Sequence, residues 1–275
     1  MGVFLMTINT RRQDRGVTLL ELLVVLMILS IVLTAAVKTW DVTLERGRAQ
    51  TTATKLSQLV KVIVGDPDYI VAGQRADFGF VGDVGRVPNN LRELVVAPSG
   101  STTWRGPYIR STFNQSLDGY RIDGWGDTII YGRDLYNSTD SLFVRSYGGR
   151  GVADRTRWQT LNFPYNDTAM TKRQVIGRIV DMRGSQTADP SKLVRLHLTL
   201  YWPYDGKLDS TPQIGTAANN FRFVGISQGT HRLVAWYVTP TGEDTFATTQ
   251  FVPVYPGAGA PDITMRLPLD WSQVQ

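Results

Sequence analysis

The sequence predicts an α+β fold: a long N-terminal α-helix packed on a small β-head, followed by a separate all-β sandwich domain. Three observations lead to this prediction. An apolar run over residues 17–37 continues without a break into an amphipathic helical pattern over 38–65. Short apolar runs between glycine-rich turns fill residues 66–171, and longer runs that are typical of strands fill 172–275. The length of 275 residues also suits about two folded domains.

Composition excludes several classes of functional site. The chain has no Cys, which rules out disulfides, Cys-bound zinc, iron–sulfur clusters and a Cys nucleophile. Its two His residues lie in separate parts of the chain and leave little for a His-based metal site. The formal net charge of +5 is small and the Lys and Arg residues are dispersed, so nucleic-acid binding is not expected.

The N-terminal apolar run has the length of a membrane-spanning helix. Its residues, 17–37, would extend about 31 Å, close to the thickness of the hydrocarbon core of a bilayer. The leader before it, residues 1–16, carries Arg11, Arg12 and Arg15 against Asp14, so the positive-inside rule keeps it in the cytoplasm. A cleaved secretory signal would have a shorter apolar region, of about 7–15 residues. We therefore expect an anchor that is retained and a body that is exported.

A single acidic residue, Glu21, interrupts the apolar run. Because a carboxylate inside a membrane segment is costly, Glu21 either lies near the helix end and reaches the lipid headgroups or has a function. The surrounding residues, GVTLLE over 16–21, follow a short basic leader and precede a long apolar helix. In this context they resemble the prepilin motif of the type IV pilin superfamily.

The resemblance implies a processing site and an assembly contact. In that family a prepilin peptidase cuts after the glycine and methylates the new N-terminus. This places cleavage between Gly16 and Val17 and methylation on Val17, which replaces the phenylalanine usual at that position. Cleavage leaves an α-amine that is cationic at neutral pH. Glu21 of a neighbouring subunit would neutralise this amine in the filament core and set the axial register.

Partners and location follow from the same resemblance. It implies a homo-oligomeric filament, the prepilin peptidase, an inner-membrane assembly platform with its ATPase, and membrane lipid before assembly. The precursor would sit in the cytoplasmic membrane with its C-terminal body exported. The mature form would lie in an extracellular or periplasmic filament.

Past the apolar run, residues 38–65 predict an amphipathic continuation of the same helix. Small and apolar residues recur there at spacings of three and four, and they are Ala49, Ala53, Leu56, Leu59, Val60, Ile63 and Val64. The turn sequence GDP at 65–67 predicts the end of the helix. We expect the helix to tolerate Gly47, the glycine within it.

The region 66–171 predicts a small head with a short helix over 91–96 and strands over 127–131 and 141–144. It resembles the major pseudopilins of type II secretion through four short segments in the same order, at 87–95, 104–109, 123–127 and 146–149. Its aromatic residues indicate either packing of a small sheet on the long helix or a surface-binding patch. They are Trp104, Tyr108, Tyr120, Trp125, Tyr131, Tyr136 and Tyr147.

The pseudopilin resemblance also raises the question of a calcium site. That family commonly holds calcium in the loop after the segment matched at 146–149, with an Asp where this chain has Arg150. Because calcium needs several convergent oxygen ligands, a guanidinium at this position argues against the site, and no cofactor is expected. Asp123, Asp127 and Asp154 remain as weak candidate ligands, and turn formation by loop carboxylates is the alternative interpretation.

Residues 172–275 predict a β-sandwich with strands at 174–182, 193–202, 220–227, 230–239, 246–255 and 263–267. The hairpin pattern over 221–233 and the strand that opens at Val175 resemble carboxypeptidase-regulatory-like, prealbumin-like domains, which usually serve structure or adhesion. His197 and His231 fall on these strands, and we expect them to be packed or surface residues and not metal ligands.

These inferences favour a structural subunit of a type IV pilus-like filament that polymerises through its N-terminal helix after prepilin cleavage. The alternative is a minor pilin or pseudopilin whose β-sandwich binds a surface, a sugar or a partner protein. Catalysis is not expected, because we find no nucleophile elbow, HExxH or Walker motif. Counting residues does not exclude a hydrolase that uses a pair of carboxylates.

Overall fold

The structure, a computed structural model, describes residues 18–109, 118–134, 141–214, 220–242 and 245–274. The chain divides into two compact units, residues 1–48 and 49–275. The helix α1 (Leu19–Val64) begins in the first unit and ends in the second. The predicted α+β class is confirmed, because the described residues contain this long helix followed by twelve strands in four sheets.

The two parts of α1 differ in what they bury. In the first unit every described residue as far as Leu44 is exposed, and the helix is long and apolar enough to cross a membrane. In the second unit α1 buries one stripe, formed by Thr52, Leu56, Leu59, Val60, Ile63 and Val64. Ala53 was expected in this stripe and is exposed. Thr52 is buried in its place, because its hydroxyl accepts a hydrogen bond from the N–H of Gly124 at 2.9 Å.

The helix ends where the turn sequence predicts. Gly65 has a φ of +91°, and a Cβ there would lie 2.5 Å from the carbonyl oxygen of Asp77, so only glycine fits. Gly47, by contrast, lies inside α1 with no atom within 4 Å of where its Cβ would be. The helix therefore continues through Gly47 as expected.

The head surrounds the end of α1 with short elements. They are β1 (Ile70–Val71), β2 (Gln74–Arg75), α2 (Gly79–Val84), 3-10 helices at Leu91–Leu94, Gly119–Arg121 and Arg155–Arg157, β3 (Ile130–Asp134), β4 (Ser141–Ser146), β5 (Gln159–Asn162) and α3 (Asp167–Thr171). Strands β3, β4 and β5 form an antiparallel sheet, and its Leu142 and Val144 join the core that includes the buried stripe of α1. The strand predicted from residue 127 begins only at Ile130, because Asp127 closes the preceding turn.

The sandwich has its own core between two sheets. Its elements are β6 (Arg173–Val180), α4 (Pro190–Leu193), β7 (Leu196–Tyr204), β8 (Lys207–Ile214), β9 (Asn220–Ile226), β10 (Gly229–Val238), β11 (Thr245–Val254) and β12 (Ile263–Arg266). One sheet has the order β11-β10-β7-β8 and the other β12-β6-β9, with β12 parallel to β6. Residues 193–195 were predicted as strand and are not, because Asp189 accepts a hydrogen bond from the N–H of Ser191 and caps α4.

Two turns of the sandwich pack against the head inside the second unit. In the β9–β10 turn, Gln228 is fully buried, and its Nε2 donates to the carbonyl oxygens of Val64 at 2.7 Å and Phe78 at 2.9 Å. In the β7–β8 turn, the N–H of Gly206 donates to the carbonyl oxygen of Val84 at 2.7 Å. Backbone carbonyl groups at the end of α1 and in the head thus accept hydrogen bonds from the sandwich, and these bonds fix how the packed surfaces meet.

His231 lies in β10 just after the β9–β10 turn, and it makes the free energy of unfolding depend on pH. The side chain is buried, its Nε2 lies 2.7 Å from the carbonyl oxygen of Ser227, and burial lowers the pKa of His231 from 6.5 to about 4. Above pH 6.5 the imidazole ring is neutral in both the folded and the unfolded state. Between pH 6.5 and 4 only the unfolded chain takes up the proton, so stability falls as the pH falls.

We therefore expect wild-type protein to lose up to about 2 kcal/mol more unfolding free energy between pH 7 and 5 than a His231→Gln variant. Denaturant unfolding of the full chain in detergent at both pH values measures this difference. Gln keeps a donor for the Ser227 carbonyl and does not titrate. Equal losses in the two proteins would show that His231 does not resist protonation in the fold.

Candidate functional site

Glu21 lies in the first turn of α1 and is exposed. Its N–H donates to Oγ1 of Thr18 at 3.3 Å, and the N–H of Leu22 donates to the carbonyl oxygen of Thr18 at 3.1 Å. Thr18 therefore caps the helix, and Thr18-x-x-Glu21 has the pattern of a capping box. This capping signal is visible in the sequence and gives the acid at position 21 a structural role that the prepilin resemblance does not imply. The positive end of the helix dipole also favours a carboxylate here.

A continuous apolar surface follows Glu21. Leu20 is 73 % exposed and Leu33 is 66 % exposed, so nothing within the described residues covers this part of the helix. Lys38 and Trp40 lie just after the apolar run, and both are exposed. Residues of these types are common at the boundary between a membrane and water. The predicted cleavage and methylation residues, Gly16 and Val17, lie outside the described residues.

Two of the candidate calcium ligands, Asp123 and Asp127, come together in one turn. Asp123 is buried, and its carboxylate accepts hydrogen bonds from the N–H groups of Trp125 and Asp127, both at 2.9 Å, and from the Ser146 hydroxyl at 2.5 Å. The carbonyl oxygen of Asp127 accepts from the N–H of Asp123 at 2.8 Å, while residue 127 itself is exposed. The Asp123 carboxylate thus already has three donors and organises the turn.

Side chains of α1 hold this turn in place. Nζ of Lys55 donates to the carbonyl oxygens of Gly119 at 3.1 Å and Ile122 at 2.7 Å, and Thr52 accepts from Gly124 as described above. Neither α1 residue was singled out from the sequence. A polar residue at a buried position of an amphipathic stripe, as at Thr52, is the signal that points to such a contact.

Asp154 lies apart and caps the 3-10 helix Arg155–Arg157. Its Oδ1 accepts from the N–H and the hydroxyl of Thr156, at 3.2 and 2.5 Å. The hydroxyl contact lowers the pKa of Asp154, and the charges of Arg157 and Arg150 act in the same direction. Within the described residues no three acidic or His side chains form a group that would hold a metal ion.

Because hydrogen bonds already engage Asp123, we expect neither EDTA nor millimolar calcium to change the melting temperature of the full chain by more than about 1 °C. Thermal melting by circular dichroism measures this effect. A saturable rise of the melting temperature with calcium would contradict this account.

Replacing Ser146 with Ala removes a donor to a buried carboxylate and should destabilise the protein by about 1–3 kcal/mol. Thermal melting by circular dichroism measures this effect too.

The sequence GISQG at 225–229 has the GxSxG spacing of a nucleophile elbow, contrary to the prediction that the chain contains no such motif. An elbow needs a strand followed by a helix, whereas Ser227 lies in the turn between the strands β9 and β10. It is fully buried, and its Oγ donates to the carbonyl oxygen of Pro203 at 3.3 Å. His231 contacts the Ser227 carbonyl and not its hydroxyl. This pair therefore has the geometry of a structural contact.

Comparison with known proteins adds two similarities. A family profile described as the prokaryotic N-terminal methylation motif matches residues 11–37, which include Glu21 and the apolar run. A curated relative, the type II secretion system core protein G of Xanthomonas campestris pv. campestris, is 30 % identical over 122 residues, which are 44 % of this chain and 71 % of the relative. No solved structure matches the chain.

Proposed function

Since the chain belongs to the superfamily of type IV pilins and type II secretion pseudopilins, we propose that it polymerises through α1 after cleavage between Gly16 and Val17. The chain is a pilin-like filament subunit, made as a membrane-anchored precursor and then exported. Members of this superfamily are structural proteins, and we propose that this chain likewise has no catalytic activity.

The observation that carries the proposal is the exposed apolar first part of α1, which begins with Glu21 in its first turn. Transfer of this surface into water is unfavourable by about 25 cal/mol per Å², so it needs either lipid or other helices around it. Exchange of lipid for neighbouring α1 helices during assembly keeps it out of water throughout. Glu21 then pairs with the α-amine of Val17 of a neighbouring subunit, because two charges that are each costly in an apolar bundle are tolerated together.

Each partner acts at one stage of the processing, export or assembly of the subunit. Family membership implies assembly with other pilins and processing by a prepilin peptidase. We propose that an inner-membrane assembly platform and its ATPase supply the work of extraction, and that membrane lipid surrounds residues 17–37 before assembly. The exported body then stays outside the cytoplasm, in an extracellular or periplasmic filament.

We further propose four segments with distinct roles. The leader, 1–16, is removed; the helix, 17–65, anchors and polymerises; the head, 66–171, and the sandwich, 172–275, form the exported body. Two separate hydrophobic cores support the last boundary: one includes α1 residues and extends to Met170, and the other extends from Val175 to Trp271.

Fractionation of cells that produce the full chain tests the proposal. We expect a processed form in filaments sheared from cells, or in overassembled pseudopili, and an unprocessed form in the membranes of a strain without prepilin peptidase. The same strain should yield no assembled protein. Unprocessed chain in the filament fraction would contradict the proposal.

A further inference from the structure

A cleft of about 730 Å³ lies between the head and the outer face of one sandwich sheet, within the second unit. Residues 76–79, 82–83, 102–103 and 105 line one side, and residues of β7, β8, β10 and β11 line the other. Its volume falls within the range of about 300–1,000 Å³ that is usual for small-molecule sites. The filament role assigns no function to this cleft.

A row of aromatic and cationic side chains crosses the sheet at this cleft. Arg232 of β10 lies directly opposite Phe251 of β11 on one side and Tyr201 of β7 on the other. The guanidinium carbon of Arg232 lies 4.4 Å from the centroid of the Tyr201 ring. Phe251, the cross-strand neighbour of Arg232, is 66 % exposed, so its ring is accessible to a ligand in the cleft.

Arg232 is the cation of the cleft that has no anionic partner among the described residues, whereas the acids of the cleft are engaged. Among the described residues, Arg232 makes no hydrogen bond or ion pair, and Arg105 reaches only Asp83, at 3.8 Å, with its own side chain 83 % exposed. Asp83 accepts a hydrogen bond from the Tyr108 hydroxyl at 2.9 Å. The Asp77 carboxylate accepts from two backbone N–H groups. An anion that enters the cleft therefore finds an open guanidinium at Arg232.

An aromatic face beside open guanidinium groups matches the chemistry of an acidic sugar. The C–H face of a pyranose packs on an aromatic ring, whose π face carries negative charge. A guanidinium binds a carboxylate through two parallel hydrogen bonds. Among the described residues that line the cleft, Phe78 and Trp202 are buried and Arg232 covers the Tyr201 ring, so Phe251 is the one ring left for stacking. A run of nucleobases, each of which would need its own ring, is therefore disfavoured.

We infer that this cleft binds an acidic oligosaccharide, with a uronate carboxylate on Arg232 and a sugar ring on Phe251. Arg105, on the opposite wall, faces a second carboxylate or sugar hydroxyls. This binding is additional to polymerisation. Repetition of the site along a filament would strengthen attachment to an acidic polysaccharide through multivalency.

The test compares two ligands that differ only at C6 of each sugar, where one has a carboxylate and the other a hydroxymethyl group. Calorimetric titration of the full chain, solubilised in detergent, would use a β-1,4-linked mannuronate trisaccharide and neutral β-1,4-mannotriose. We expect the acidic trisaccharide to bind at least about tenfold more tightly, the difference typical of a charge-assisted contact. Equal affinity for the two ligands, or no binding of the acidic one at millimolar concentration, would overturn the inference.

Matched variants separate the cleft from general surface charge. Arg232→Gln should weaken binding of the mannuronate trisaccharide about tenfold, and Phe251→Ala about fivefold. Arg155→Gln removes an arginine that lies over Trp158, outside the cleft, and Tyr69→Ala removes an exposed ring in the head; both should bind like wild type. A loss with Arg155→Gln as large as that with Arg232→Gln would overturn the inference, as would unchanged binding in both cleft variants.

Discussion

Replacing Glu21 with Gln is expected to lower the abundance of the chain in sheared filaments at least about tenfold while leaving its level in membranes unchanged. Gln is accepted at the third position of a capping box, so the start of α1 next to Thr18 is preserved. What is lost is the negative charge that, in the proposed filament, would neutralise the α-amine of a neighbouring subunit. An amine left unpaired in an apolar bundle costs about 3–5 kcal/mol, enough to block incorporation.

Asp41 provides the matched control for this experiment. It is an exposed acid on the same helix, beyond the apolar run, so Asp41→Asn makes the same change of charge outside the proposed core. Immunoblots of filament and membrane fractions should show wild-type incorporation for this variant. Incorporation of the Glu21→Gln protein at the wild-type level would mean that Glu21 serves only to cap the helix.

Replacing Gly85 with Ala is expected to lower the melting temperature of the full chain by about 10 °C or more, which corresponds to at least about 4 kcal/mol. Gly85 ends α2 with a φ of +80°. A Cβ there would lie 2.0 Å from the carbonyl oxygen of Pro203 and 3.0 Å from Cα of Tyr204. Because both atoms belong to the backbone, the head and the β7–β8 turn would have to separate.

Gly242→Ala isolates the effect of that contact. Gly242 has a φ of +75°, close to that of Gly85, but no atom lies within 4 Å of its potential Cβ. Alanine there meets only the backbone penalty of the left-handed conformation, about 1–2 kcal/mol. Thermal melting of both variants should therefore separate them clearly. Equal melting temperatures would show that the head and the sandwich do not meet closely at Gly85.

The elements that depend on local pattern were predictable from the sequence. The apolar run and the three- and four-residue spacing predicted α1, and its end at Gly65 follows from the turn sequence. Strands with alternating apolar residues, such as β9 and β10, were also predicted within a residue or two. In each case the signal lies within one segment and needs no knowledge of its neighbours.

Features that depend on distant partners were not predictable. Strand β8 escaped prediction because its sequence, KLDSTPQI, is polar and contains Pro212, which is tolerated because β8 is an edge strand. The burial of Thr52 instead of Ala53 depends on a loop that follows about seventy residues later. Gln228 and Gly85 are ordinary turn residues until the head and the sandwich are packed together.

The candidate site likewise has residues that were predictable from local sequence and residues that only the fold brings together. Glu21 and the motif around it were evident from the sequence, and the family comparison agrees with that interpretation. The role of Asp123 as the acceptor for Ser146 was not, because the two residues are joined only through the head fold. Similarly, Arg232, Tyr201 and Phe251 form a row only once β7, β10 and β11 are paired.

Mass spectrometry of the N-terminus of the chain in sheared filaments tests the central claim most directly. Polymerisation through α1 after prepilin processing predicts a chain that starts at Val17, with or without an added methyl group. Filaments whose subunits still begin at Met1 would contradict the account.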